Sequence, residues 1–172
     1  MRNFGLGVFI TLVLSAGVAF TASKADEDTL RQARDRAEIE DLMWRYTRAL
    51  DTGNAEAYAA AYTPDGQFGT GANATKGRDA LRKMVAGTGA TQPAATGAAQ
   101  PARAPMYHMT ANHLITFIDK DHARIDAYYL TAMAANGENN PLRVAAVGRS
   151  IDELERQNGK WLIKVRNVQP QN

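Results

Sequence analysis

The chain has 172 residues, enough for one domain around a single core, and it contains no cysteine. Disulfides, thiol chemistry and thiolate metal sites are therefore excluded. The net charge is only +2, and both surplus cations, Arg2 and Lys24, lie in a first stretch of 25 residues that holds no acid. The remainder is neutral and gives no electrostatic reason to expect nucleic acid.

In chain order, Arg2 is followed by the uncharged run Phe4 to Phe20 and then by the small residues of Thr21-Ala22-Ser23-Lys24-Ala25. A basic start, an apolar run and a small-residue site make a secretory signal. The expectation is a signal peptide over 1–25, cut after Ala25, and a periplasmic or secreted domain over 26–172. The alternative is an uncleaved anchor, since a run of about 17 residues sits at the lower limit for a membrane span. Once the signal is removed, no stable membrane insertion is expected.

Asp26 to Asp51 reads as one amphipathic helix, with Ile39, Leu42, Met43, Tyr46, Ala49 and Leu50 on one face. Asp26 or Asp28 can cap its start. Gly53 can end it in the left-handed conformation, and Asn54 can cap a second helix over about Ala55 to Tyr62. Thr63-Pro64-Asp65-Gly66 reads as a turn, followed by a short strand near Gln67 to Gly69. Arg78 to Val85 reads as a third helix. The stretch 86–105 is almost all Ala, Gly, Thr, Pro and Gln. Its composition predicts a flexible insert, either a plain surface loop or a lid beside a pocket. From Met106 the period changes to two, and Met106–Ile118, Ala123–Met133, Arg143–Arg156 and Lys160–Val168 read as four strands. Asn158-Gly159 marks a tight hairpin between the last two. Helices followed by an antiparallel meander make an α+β domain.

Strict alternation along the first long strand puts His108, Thr110, Asn112, Leu114 and Thr116 on one face and Met109, Ala111, His113, Ile115 and Phe117 on the other. The first face suits a pocket with a polar mouth and an apolar floor, and also an ordinary half-solvated sheet. His108 and His113 then point to opposite faces, so no metal is expected. Tyr46 lies on the apolar stripe of the first helix, as a core residue or a pocket wall. Asp51 stands at that helix's C-terminal end, where the helix dipole disfavours a carboxylate. A hydrogen bond from a histidine would offset that cost and fix the histidine's tautomer. Tyr128 and Tyr129 face opposite sides of the second strand. Arg149 and Arg166 can pair with Asp152, Glu153 or Glu155. Gly148-Arg149-Ser150-Ile151-Asp152 is not a nucleophile elbow, which argues against serine hydrolase chemistry. Gly87-Thr88-Gly89 lacks the lysine of a phosphate loop.

The order of motifs resembles a known family. Glu38-Ile39-Glu40-Asp41-Leu42, Arg45-Tyr46, Ala49-Leu50-Asp51, Tyr62-Thr63-Pro64-Asp65 and Lys76-Gly77-Arg78-Asp79-Ala80-Leu81 resemble the helical half of SnoaL-like proteins. His108-x-x-x-Asn112, Gly148-Arg149, Asn158-Gly159-Lys160-Trp161 and Arg166 resemble their sheet. The resemblance implies membership of the nuclear transport factor 2-like superfamily. Its fold is a cone-shaped α+β barrel, three N-terminal helices packed on a curved antiparallel sheet around an apolar pocket. It points to the branch of scytalone dehydratase, bile acid 7α-dehydratase and lindane dehydrochlorinase, in which an Asp ending the first helix supports a His on the sheet. Asp51 and His108 match those positions, and Tyr46 matches the phenol of the bile acid enzyme.

The resemblance thus implies a dehydratase-type lyase acting on a small apolar or polycyclic substrate without metal or organic cofactor. His108 is the expected base, Asp51 its orienting partner and Tyr46 the acid or hydrogen-bond donor. Asn112, Tyr128, Tyr129, Met43 and Leu42 are expected to contact the substrate. A homodimer or higher homo-oligomer is expected, joined through a convex sheet face carrying Met109, Ile115 and Phe117. The alternative is a non-catalytic small-molecule-binding or assembly module of the same fold.

Overall fold

The first helix begins where a side chain can close its open end. In the computed structural model, which describes residues 23–86, 105–134 and 141–168, Ser23 caps helix α1 (Lys24–Thr52). Its hydroxyl accepts from the Asp26 main chain and the Asp26 carboxylate accepts from the Ser23 main chain, a reciprocal capping box. Asp26 therefore supports the cap instead of providing it. Gly53 ends the helix at φ 66°, and Asn54 caps α2 (Ala55–Ala60) through its side chain. Ile39, Leu42, Met43, Tyr46 and Ala49 are buried, as the spacing predicts.

Strand β1 (Tyr62–Phe68) follows at once. Thr63-Pro64-Asp65-Gly66 is thus part of a strand and not the expected turn. Pro64 is tolerated because the pairing with the neighbouring strand is interrupted there, its register shifting between Tyr62 and Gln67. A short 3₁₀ turn (Gly71–Asn73), strand β2 (Thr75–Lys76) and helix α3 (Arg78–Ala86) complete the first half. Strands β3 (Met106–Phe117), β4 (His122–Met133), β5 (Arg143–Gln157) and β6 (Lys160–Asn167) form the meander. The Asn158-Gly159 hairpin takes φ of 51° and 76°, the mirror-image turn that dipeptide favours.

All six strands join one curved, unclosed sheet in the order β2-β1-β6-β5-β4-β3. The expected α+β architecture holds with one correction: β1 runs parallel to β6, so the sheet is not wholly antiparallel. Helix α1 packs on β3 and β6, and α2 and α3 pack together beside it. The core gathers Ile39, Leu42 and Tyr46 with Tyr58, Tyr62, Leu81, Ile125, Leu154 and Ile163. Burying each such aliphatic side chain contributes roughly 1.5–3 kcal/mol. Among the described residues no helix is long and apolar enough to cross a membrane. Residues 1–22 of the expected signal and 87–104 of the expected insert lie outside the described residues.

Strand β3 departs from simple alternation. Its register against β4 shifts between Ala111 and Leu114, and Asn112 takes φ 55°. This bulge inserts a residue and reverses the faces beyond it. His108 and Thr110 face α1 before the bulge; Ile115 is buried and Phe117 packs on the core after it. The expectation that Ile115 and Phe117 join Met109 on an outer face is therefore corrected. Met109 is about half exposed, whereas Ile115 is 4 % exposed.

Candidate functional site

Asp51, in the last turn of α1, reaches β3. One of its oxygens, Oδ1, accepts both the ring Nδ1–H of His108 at 2.7 Å and the His108 main-chain N–H at 3.0 Å. Two donors on one oxygen offset the unfavourable field at the helix end. They also hold the imidazole by both its ring and its backbone. With the proton on Nδ1, the lone pair of the neutral ring sits on Nε2, the nitrogen left for chemistry. The side chains are 12 % and 22 % exposed, so the pair is sheltered but reachable.

His108 opens into a cleft of about 340 Å³ between α1 and the edge strand β3, with Met43 and Thr47 on its α1 side and Thr110 on its β3 side. A larger groove of about 690 Å³ lies between α1, α2 and the start of β6 and includes Leu42 in its lining. It contains neither His108 nor Asp51. The smaller cleft is the better site because His108 lines it, with Asp51 bonded behind the imidazole. Among the described residues no cluster of three or more His, Asp and Glu is arranged to hold a metal ion.

Tyr46 stands deeper. It is 2 % exposed, with ring centroids 5.3 Å from Tyr58 and 6.0 Å from Tyr62. The Tyr58 and Tyr62 hydroxyls are hydrogen-bonded at 3.0 Å. Burial, then the neighbouring Tyr46, pushes both phenols far above the ordinary tyrosine range, so they stay protonated. The Arg166 guanidinium lies 4.6 Å from the Tyr46 ring centroid and pairs with the buried Asp152 carboxylate. Burial works against charge on Arg166 but is outweighed by Tyr46 and Asp152, so Arg166 stays cationic. Burial pushes Asp152 up to about 6 against the downward pull of Arg166.

The other expected contact residues disperse. Met43 lines the cleft with His108, and Leu42 lies in the core. Tyr129 shares the His108 face through its pairing with Thr110, but its ring covers Gly148, where a Cβ would approach it to 2.9 Å. Its hydroxyl donates to the Val168 carbonyl at 2.8 Å. Tyr128 is exposed on the opposite sheet face, and Asn112 is exposed at the bulge. His113 lines the cleft together with His108, contrary to the opposite faces expected from alternation. Arg149 reaches Asp126 at 3.5 Å, leaving Asp152 to Arg166. The phenols of Tyr58 and Tyr62 went unnoticed in the sequence. Tyr58 lies on α2 and Tyr62 opens β1, so helical spacing did not reveal the pair.

The sequence model of the SnoaL-like domain matches residues 31–167. No curated protein matches the sequence. Among solved structures, a candidate scytalone dehydratase from Novosphingobium aromaticivorans superposes with a TM-score of 0.67 at 23 % identity, over 84 % of this chain and 89 % of that one. A nuclear transport factor 2-like protein with a cystatin-like fold, also from Novosphingobium aromaticivorans, gives 0.67 at 22 %, over 84 % and 88 %. A protein from Catenulispora acidiphila in complex with S-DNPA gives 0.62 at 26 %, over 79 % and 92 %.

The buried Asp152–Arg166 pair yields a pH-dependent prediction. Asp152 titrates near 6 when folded and near 4 when unfolded, so the folded chain holds the extra proton between those values. That contribution is present below about pH 4 and is lost as pH rises through the window. Arg166→Met removes the partner, which should cost about 3 kcal/mol at pH 7.5. The loss should be smaller at pH 4.5, where a proton neutralises Asp152. Urea unfolding at both pH values checks this; equal losses would contradict it.

Proposed function

The chain belongs to the SnoaL-like domain family, and we propose that it is a cofactor-independent lyase of dehydratase type acting on a small apolar or polycyclic substrate. The observation that carries this reading is the double hydrogen bond from His108 to Asp51 Oδ1. Such a bond sets the imidazole's tautomer and stabilises the imidazolium that proton abstraction creates. His108 Nε2 takes a proton from carbon beside a carbonyl, and the electron pair forms the enolate. The enolate then expels a β-hydroxyl group, which leaves as water with the proton returned by the imidazolium. Tyr46 is the phenol assigned to hydrogen-bond the developing oxyanion, with the Arg166 cation behind its ring. Met43, Trp44 and Met109 in the cleft lining favour an apolar substrate.

A non-catalytic binding module is the second reading, favoured by the near-complete enclosure of Tyr46. The two separate on a β-hydroxyketone probe. 3-Hydroxy-1-tetralone loses water to give 1-naphthol, which is read by fluorescence. His108→Ala should lower kcat/KM by roughly a hundred- to ten-thousand-fold. Asp51→Asn should also be severe, and the double variant little worse than His108→Ala, because a catalytic pair is non-additive. Tyr46→Phe should be milder. Binding of the probe with no turnover by the wild-type chain would favour the module.

Export belongs to the same proposal, motivated by Arg2, the uncharged run Phe4–Phe20 and the small residues before Asp26. N-terminal sequencing of protein recovered from outside the cytoplasm should begin near Asp26. A chain still starting at Met1 would contradict cleavage.

A further inference from the structure

The bulge at Asn112 has a chemical effect beyond packing. Without it, His113 would face away from His108; with it, both line the same cleft. The cleft is therefore two-ended. His108 and Asp51 stand at one end, and His113 and Glu40 line the other part. On α1, Glu40 and Asp51 are separated by about 16 Å of helix. Five residues of bulged strand set the two imidazoles on the order of 12–15 Å apart. Met43 and Thr47 lie between, and Trp44, 67 % exposed, offers an indole at the rim. Burial and Arg166 hold His113 below the usual histidine range, against the opposing pull of Glu40. A neutral imidazole both donates and accepts hydrogen bonds.

We propose that the cleft binds a rigid, flat, largely apolar molecule end to end, with its reacting group at His108 and a hydroxyl or carbonyl at His113 and Glu40. His113 is then a specificity-determining residue that measures substrate length and takes no part in proton abstraction. This rests on the reading of His108 as the base. It narrows the substrate to molecules of at least two fused rings with polar groups at opposite ends. The two oxygens of 2,6-dihydroxynaphthalene are about 8 Å apart, and a hydrogen bond of about 2.8 Å at each end brings the span into range.

The chain's three histidines supply the test. His122 lies in a surface turn on Asp119, paired at 2.9 Å, and serves as the internal reference. Histidine ring Cε1–H resonances are followed by NMR during titration with 2,6-dihydroxynaphthalene and, separately, with 2-naphthol. The diol should shift His108 and His113 and leave His122 in place. It should bind about fivefold more tightly than 2-naphthol, the worth of one hydrogen bond. His113→Phe should erase that difference. A diol that shifts His108 alone, with equal affinity for the two probes, overturns the inference and leaves the reading of His108 intact. A diol that shifts neither histidine overturns it as well. The comparison of the two probes needs only the wild-type chain, so it stands even if a variant misfolds.

Discussion

One carboxylate oxygen at the end of a helix of roughly 44 Å holds the candidate site together. Asp51 Oδ1 bonds the ring and the backbone of His108, and so fastens the last turn of α1 to the start of β3. The last turn carries no basic residue to balance the negative end of the helix. Without a donor from β3, a carboxylate there would be a liability. With two donors, Asp51 is held in place and keeps the histidine's proton on Nδ1. Structure and chemistry thus use the same bond.

The middle of α1 is held by a different ionic contact. Asp35, 2 % exposed, accepts from Arg156 of β5, and Arg156 lies 4.6 Å from the Trp161 ring centroid. Arg36 sits 5.2 Å from the Phe117 ring centroid at the end of β3. Helix α1 is therefore tied at its middle and at its C-terminal end to strands of one sheet, with apolar core residues between. The Tyr46, Tyr58, Tyr62, Arg166 and Asp152 cluster fills the middle with polar groups that burial makes costly. An apolar set of similar volume would serve stability as well or better. Their presence is consistent with the proposed role of Tyr46 in stabilising developing charge.

Most elements were legible in the sequence because their signals are local. The α1 stripe, Gly53, the Asn54 cap, Asn158-Gly159 and the four long strands all follow from period and turn chemistry. The pairing of Asp51 with His108 came from resemblance to a family, not from spacing, since 57 residues separate them. What the sequence hid were the irregularities. Thr63-Pro64-Asp65-Gly66 has the composition of a turn, yet it continues a strand whose ladder is broken there. The bulge at Asn112 carries no strong signal, since asparagine is common in turns and strands alike, and it moved Ile115 and Phe117 inward and His113 into the cleft. A second register shift, between Glu153 and Leu154, brings Asp152 opposite Arg166. Counting back from the hairpin without it pairs Asp152 with Val165. Bulges arise from tertiary fit, so period alone does not reveal them.

The central claim is that Asp51 fixes the protonation of His108. Nitrogen-15 NMR of the histidine rings, at a pH where they are neutral, tests it without any substrate. In the wild-type chain His108 should carry its proton on Nδ1, with an unprotonated Nε2 signal. Asp51→Ala should remove that preference, giving a mixed or Nε2–H signal. A wild-type His108 protonated on Nε2, or a tautomer unchanged in the variant, would contradict the account.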